Sequence, residues 1–227
     1  MIQNQNVNFF IDDMPDISSA KRIDLLRSID INASVDDVFV WLSQFRVAPY
    51  SYDFLDNEFR ASPEFVIENL TPLRKYAHFL LAFHIVSFEN NSYIAIRFCE
   101  PILFPFNYSI ESLFMEYRIV SYGKGTRLYC RTLAFIKKGL FSKLFFSFFL
   151  LLNKIMLKRQ FINVKKLAEK LSNNEIECKS YSFSEANLRR GLMWFLFCRR
   201  EKCQFVDKND FGRLLNADAC KCIMNKQ

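Results

Sequence analysis

One stretch, residues 48–63, brings aromatic hydroxyls and carboxyls together outside any helical or strand period. Pro49 and Pro63 restrict its backbone, and the short polar side chains between them can bond their own main chain, so an ordered loop is predicted. A loop with several aromatic rings either fills a core or lines the mouth of a cavity, because exposing the rings would forfeit their burial. The candidate ligand-binding residues in this loop are Tyr50, Tyr52, Asp53, Asp56 and Asn57.

Three further polar residues, His84, Glu116 and Arg118, lie on predicted strands. If they face inward, they extend the polar lining of a pocket for a mainly apolar ligand. The alternative is that the loop carboxyls only hold the loop, and that the strand charges are solvated or paired on an outer face, since an unpaired buried charge is costly. The sequence leaves both alternatives open.

Catalysis would require a proton carrier or a nucleophile close to the substrate. The candidate is His84, with Asp53 or Glu116 as its carboxylate partner; the alternative is a histidine that belongs to the core. The sequence contains no glycine-rich phosphate loop and no nucleophile elbow. Catalytic residues are therefore left unassigned.

The seven cysteines are odd in number and show no paired spacing before the C-terminal region, which favours reduced thiols. Cys198, Cys203, Cys220 and Cys222 match no common zinc spacing, so neither a metal site nor a cofactor is predicted. The N-terminus lacks the basic start and apolar run of a secretory signal. The expected location is the cytoplasm.

Positive charge is concentrated in one segment: residues 137–170 carry a net charge of +8, whereas the whole chain carries +7. Within it, Lys158 and Arg159 lie on a predicted helix. A second basic segment, residues 188–200, has an aromatic-rich apolar centre between two arginine pairs, a pattern that can lie in a membrane interface or pack on the protein. The candidate membrane-surface residues are Lys158, Arg159, Arg189, Arg190, Trp194, Arg199 and Arg200.

These charges indicate a partner class. An anionic membrane surface, with the protein peripheral at its inner face, is the candidate partner for the basic segments, and a solvated helix surface is the alternative. Nucleic acid is not predicted, because the basic stretch lacks the recognition motifs of known binding modules.

The elements that must position these residues follow from hydrophobic periodicity. Residues 22–33 predict a strand, and Ser34 predicts the cap of a short helix over 34–45. Further strands are predicted over residues 64–70, 76–88, 92–99, 113–122 and 126–136. Gly123 and Gly125 predict a hairpin between the last two strands, with a dry face carrying Tyr117 and Cys130.

A helix of about 30 residues is predicted from 139 to 171, because no glycine or proline interrupts the segment after Gly139. Its first half, residues 144–152, is apolar nearly all round. Only nine residues separate Lys143 from Asn153, fewer than the roughly 20 that a membrane span requires. We therefore expect burial or lipid contact rather than a span.

A strand, a helix, several antiparallel strands and a long C-terminal helix form the order of an α+β helix-grip fold: a curved antiparallel sheet wrapped around the long C-terminal helix, followed by a C-terminal tail. The chain also resembles a bacterial SRPBCC (START/polyketide-cyclase-like) family. The resemblance covers residues 22–170 and rests on the loop from Ala48, on Arg60, Ser62 and Pro63, on the strand pairs Tyr117-Arg118 and Arg127-Leu128, and on Lys158, Gln160, Asn163 and Lys165.

The resemblance implies an apolar cavity between sheet and helix that holds a lipid, sterol or polyketide. The expected domains are a leader at 1–20, the helix-grip domain at 21–171 and an extension at 172–227. The expected function is binding, and carriage, of a hydrophobic small molecule. The alternative is a cyclase- or dehydratase-type enzyme acting on a polyketide-like substrate in the same cavity.

Overall fold

The computed structural model describes residues 7–14, 19–52, 61–70, 72–80, 83–98 and 109–180. Its main layer is a six-stranded sheet in the order β1-β7-β6-β5-β4-β3, with every neighbouring pair antiparallel. The six strands are β1 (Ala20–Ile31), β3 (His78–Phe79), β4 (Phe83–Glu89), β5 (Tyr93–Phe98), β6 (Ile110–Tyr122) and β7 (Gly125–Lys137). Two short strands, β2 (Val66–Ile67) and β8 (Cys178–Lys179), pair in parallel with each other.

Two α-helices complete the described chain: α1 (Val35–Ser43) and α2 (Leu140–Ser172). The predicted cap of α1 is present, because the Asp37 backbone N–H donates to the Ser34 hydroxyl at 3.1 Å. Single 3-10 turns occupy Phe10–Asp13 and Gln44–Arg46.

The β6–β7 hairpin runs from Tyr122 opposite Gly125 to Ile110 opposite Ile136. Gly123 takes a φ of 61°, a left-handed conformation that glycine adopts without steric cost. The predicted turn at residues 123–125 is therefore confirmed.

One face of the sheet, called here the inner face, packs against α1 and α2. Met115, Tyr117, Leu128 and Cys130 belong to the same buried cluster as Val164 of α2. The long C-terminal helix is thus gripped by the antiparallel sheet, and the predicted helix-grip fold is confirmed.

Two strand predictions need correction. Residues 64–70 form only the two-residue strand β2, which joins β8 and not the main sheet. The Gln44 side chain accepts the Ile67 N–H at 2.6 Å, so a side chain takes a hydrogen bond that a neighbouring strand would otherwise supply. The predicted strand 76–88 is broken at Leu80, whose φ of 46° is incompatible with an extended chain.

Candidate functional site

The interior under the C-terminal half of α2 is an aromatic core. The ring centroids of Phe45 and Tyr117 lie 5.4 Å apart, and those of Trp41 and Tyr50 lie 5.8 Å apart. The Tyr50 ring is 1% exposed, and its hydroxyl accepts a hydrogen bond from Gln44 Nε2 at 2.9 Å. Tyr50 is therefore a core residue, which is the alternative in which the loop rings fill a core; its contact with a ligand stays a prediction.

Residues 49 and 50 are fastened to α2 by two amide side chains. Gln160 Nε2 donates to the Pro49 carbonyl at 2.6 Å, and Asn163 Nδ2 donates to the Tyr50 carbonyl at 2.9 Å. Gln160 Oε1 in turn accepts from the Tyr117 hydroxyl at 2.8 Å. Gln160 and Asn163, which carried part of the family resemblance, thus join the loop, the helix and the sheet.

Of the other candidate residues in the loop, Tyr52 is the one that the structure describes. Tyr52 is half-buried. Asp53, Asp56 and Asn57 lie outside the described residues, and their contact with a ligand stays a prediction.

Small side chains line the centre of the inner face. On β7, Cys130, Thr132 and Ala134 follow one another at the strand period of two and cover about 13 Å of its length. All three are buried although none reaches far above the sheet. Small side chains at these positions fill less of the space beneath the helix than leucine or phenylalanine would.

The part of α2 that lies between its two packed regions is only partly buried. Phe146 packs with Ala134 in one cluster, and Leu157 packs with Cys130 in another. Between them Asn153, four residues before Leu157 and seven after Phe146, shares the inward side of the helix by its spacing. Its burial is intermediate, unlike that of the flanking Phe146 and Leu157.

Polar groups also reach this region. Arg27 lies directly opposite Cys130 in the β1–β7 register and therefore on the inner face. Its side chain is half-buried. Neither Arg27 nor Asn153 was expected at the site from sequence, although an arginine among the alternating apolar residues of β1 was a detectable signal.

Two inner-face groups hold their protons. Burial raises the pKa of the Cys130 thiol to about 12, and it raises the pKa of the Tyr117 hydroxyl well above its ordinary value. At neutral pH both groups are hydrogen-bond donors and neither is a nucleophilic anion.

Glu116 and Arg118 lie on the opposite, outer face. Glu116 pairs with Ala95, which belongs to the outer buried cluster, whereas the adjacent Tyr117 belongs to the inner one. Of the two alternatives that the sequence left open, the structure therefore favours charges that are paired on an outer face. The alternation of side chains along β6 predicted that Glu116 and Arg118 share one face of the strand. It did not predict which face α2 would cover.

The N-terminal segment 7–14 covers Glu116 on that outer face. The Ile11 N–H donates to Glu116 Oε2 at 3.1 Å, and Arg118 Nε donates to Oε1 at 2.7 Å. The Arg118 guanidinium lies 4.5 Å from the centroid of the Tyr93 ring. Burial raises the pKa of the Glu116 carboxyl, although Arg118 and the backbone N–H oppose the shift.

His84 also lies on the outer face. It pairs with Arg97, and Arg97 pairs with Phe114 of the outer cluster, while the adjacent Ile85 belongs to the inner core. The His84 side chain is 5% exposed. Of the two alternatives for His84, the structure favours a histidine that belongs to the core.

The basic candidates divide between described and undescribed residues. Lys158 and Arg159 are exposed on α2. Arg189, Arg190, Trp194, Arg199 and Arg200 lie outside the described residues, so their membrane contact stays a prediction. Within the described ranges, no group of three or more histidine, cysteine, aspartate or glutamate side chains is placed to hold a metal ion.

No protein-family model matches the sequence, and no curated protein matches it. Solved structures are similar at low sequence identity. The di-domain ARO/CYC StfQ from the steffimycin biosynthetic pathway is 12% identical with a TM-score of 0.42, over 67% of this chain and 52% of that chain. This chain thus spans about half of StfQ.

Two further similar structures are of plant proteins. Truncated norcoclaurine synthase from Thalictrum flavum is 11% identical with a TM-score of 0.37, over 69% of this chain and 97% of that chain. Ginseng major latex-like protein 151 from Panax ginseng is 9% identical with a TM-score of 0.34, over 66% and 97%.

Proposed function

We propose that this protein binds a hydrophobic small molecule, such as a lipid or a polyketide, between the inner face of the sheet and α2. The observation that carries the proposal is the run of small buried side chains on β7, Cys130, Thr132 and Ala134, beneath a part of α2 that is only partly buried. Apolar walls with few polar groups are typical of small-molecule sites.

The polar groups at this space favour an amphipathic ligand. Arg27 presents a half-buried cation on the inner face, and Asn153 presents an amide from the helix. A guanidinium binds a carboxylate with two parallel hydrogen bonds, so a ligand with an acidic end fits better than a pure hydrocarbon.

The rival function, a cyclase- or dehydratase-type enzyme, needs a base that reaches the same space. His84 and Glu116 lie on the outer face, and Asp53 lies outside the described residues. Tyr117 and Cys130 remain protonated at neutral pH because burial raises the pKa of each. The described geometry therefore supports binding better than catalysis, and the proposed location remains the cytoplasm.

The first test is native mass spectrometry of the full-length protein, followed by solvent extraction and by titration with a fluorescent fatty acid. We expect a co-purifying apolar molecule or saturable binding of the probe. Absence of both would refute the proposal. Conversion of an added polyketide into a cyclised product would instead support the enzyme.

A larger side chain on β7 tests whether the probe binds between the sheet and α2. Thr132→Leu adds volume on the inner face and should abolish probe binding, whereas Ala95→Leu overpacks the outer face of the same sheet and should not. Arg27→Met should weaken a fatty acid more than the corresponding alcohol, because only the acid uses the guanidinium. Equal probe binding by the Thr132→Leu protein and the unmodified protein would place the site elsewhere.

A further inference from the structure

The outward side of α2 carries a continuous row of exposed apolar side chains. Within the described ranges, eight of the ten exposed large hydrophobic residues lie on this one helix. Seven of them form the surface called here the outward stripe: Leu140, Phe141, Leu144, Phe148, Leu151, Leu152 and Ile155. Leu140 is 75% exposed and Leu144 is 65% exposed.

The spacing of the outward stripe places its members on one side of the helix. Leu144, Phe148, Leu151 and Ile155 follow at intervals of four, three and four residues, opposite the inward Phe146 and Leu157. From Leu140 to Ile155 the stripe is about 22 Å long. An apolar surface of this extent marks an interaction site on a soluble protein.

Basic residues border the stripe. Lys143 and Lys154 lie along one side by helical spacing, and Lys158 and Arg159 continue the outward side beyond Ile155. All four are exposed, and none forms an ion pair with another residue that the structure describes. No acidic residue occurs between Glu116 and Glu169 in the sequence.

We propose that the outward stripe docks α2 flat onto an anionic lipid bilayer, with its apolar side chains among the acyl chains and the bordering cations at the headgroups. An apolar face between basic residues is the pattern of a helix that lies in a membrane interface. Lysines at the border reach the headgroups while their methylene stems stay in apolar surroundings. A bilayer satisfies both features at once, whereas a second protein would need a matching acidic rim around an apolar groove.

Docking on the surface fits the structure better than crossing the membrane. By length and composition α2 is apolar enough to cross one. Its inward side, however, packs on the sheet at both ends, through Phe146 with Ile136 and through Val164 with Leu128. A crossing helix would carry the ion pairs of the sheet, such as that of Arg131 and Asp24, into hydrocarbon.

The proposal does not depend on ligand binding. The stripe faces outward, whereas Cys130 and Thr132 face inward, so a protein with an empty interior would still bind vesicles. If both proposals hold, the helix that covers the ligand also contacts the membrane, which places the bound molecule next to its lipid source.

The test uses the full-length chain in flotation with zwitterionic phosphatidylcholine vesicles and with vesicles that contain increasing phosphatidylglycerol. We expect binding that rises with the anionic fraction. Replacing Leu144, Phe148 and Leu151 together by Ser should lower the partition coefficient by about tenfold or more, because three apolar insertions are lost. The control is Leu26→Ser, an exposed leucine on the outer face of β1 that should leave partitioning unchanged.

Charge variants test the headgroup contact. Lys143→Gln and Lys154→Gln should each lower binding to anionic vesicles by about fivefold, which corresponds to about 1 kcal/mol per basic residue. Lys124→Gln in the β6–β7 turn is the matched control. Salt at about 1 M, where the Debye length is ~3 Å, should weaken binding without abolishing the apolar part.

Three outcomes would overturn the proposal. One is the absence of binding to strongly anionic vesicles at low salt. Another is full binding by the triple Ser variant together with loss of binding when Trp194 is replaced by Ser, which would assign the contact to the C-terminal region. The last is a change from dimer to monomer in the triple Ser variant with no change in flotation, which would make the stripe an interface between copies of this chain.

Discussion

At the residue scale, Glu116 is the buried charge with the clearest physical consequence. Its side chain is 0% exposed and contacts Arg118 and the Ile11 backbone. Because burial raises its pKa in the folded state above 4.5, the folded protein holds this proton more tightly than the unfolded chain does. The stability that Glu116 contributes is therefore greatest at low pH and falls as the pH rises through the folded-state pKa.

Replacing Glu116 by glutamine tests the direction of this pH dependence. In Glu116→Gln the amide oxygen can replace only one of the two carboxylate acceptors, Oε1 for Arg118 or Oε2 for Ile11, and the side chain does not ionise. We expect the free energy of unfolding of the unmodified protein to decrease relative to that of Glu116→Gln as the pH rises from about 4.5 toward neutrality. Urea denaturation of both proteins across this range measures the difference.

Asp24 provides a control, because its contribution to stability should change with pH in the opposite direction. The hydrogen bond from Arg131 lowers the pKa of Asp24 below 3.8, so its contribution is present above that value and is lost as the pH falls through the folded-state pKa. The unmodified protein should therefore gain stability over Asp24→Asn with rising pH. Equal slopes in the two comparisons would show that Glu116 is not buried as described.

At the element scale, α2 packs on the inner face of the sheet and also holds the aromatic loop through side-chain hydrogen bonds. Gln160 satisfies two buried groups at once, the Pro49 carbonyl and the Tyr117 hydroxyl. Without its amide both groups lose their partner, and an unsatisfied buried polar group costs about 1–3 kcal/mol. The helix thus fixes the start of the aromatic loop by hydrogen bonds and not only by apolar packing.

Gln160→Leu should accordingly lower the free energy of unfolding by about 2 kcal/mol or more. Arg159→Leu, the adjacent exposed position on the same helix, should change it by less than about 0.5 kcal/mol. Hydrogen exchange should speed up at residues 48–52 in the first variant alone. Unchanged exchange there would mean that the amide does not hold the loop.

At the scale of the whole molecule, the sheet is covered on both faces. The inner face packs on the helices, and the outer face is covered by the N-terminal segment, where Phe9 and Ile11 are buried with Leu133 and Phe135. Residues 7–14 lie within the predicted leader at 1–20, and their apolar side chains complete the core on this face of the sheet.

Ile11→Ala should therefore destabilise the full-length protein by about 2–5 kcal/mol, as expected for a truncated core side chain. The neighbouring Phe10 is only half-buried and stacks on Tyr93 at a centroid distance of 6.2 Å, so Phe10→Ala should cost about 1 kcal/mol. Thermal and urea unfolding measure both variants. Equal and small effects would show that the segment does not contribute to the core.

Local sequence patterns were enough to predict the periodic features of this protein. The order of the elements, the turn at Gly123, the cap at Ser34 and the long uninterrupted helix all follow from local patterns, because period and turn chemistry act over a few residues. The same patterns showed that Glu116 and Arg118 share one face of a strand. Local rules are sufficient where the physical cause is local.

Contacts between distant segments settled what covers each face of the sheet. Alternation along β6 and β7 predicted a dry face with Tyr117 and Cys130, but it left open whether Glu116, Arg118 and His84 reach the space beneath the helix, and the structure places these three residues on the other face. The small residues of β7 can be assigned to a ligand site only because α2 packs over them. The outward stripe of α2 can be recognised only because the opposite side of the helix packs on the sheet. Sidedness is a property of contacts between distant segments, and a single sequence carries no direct record of those contacts.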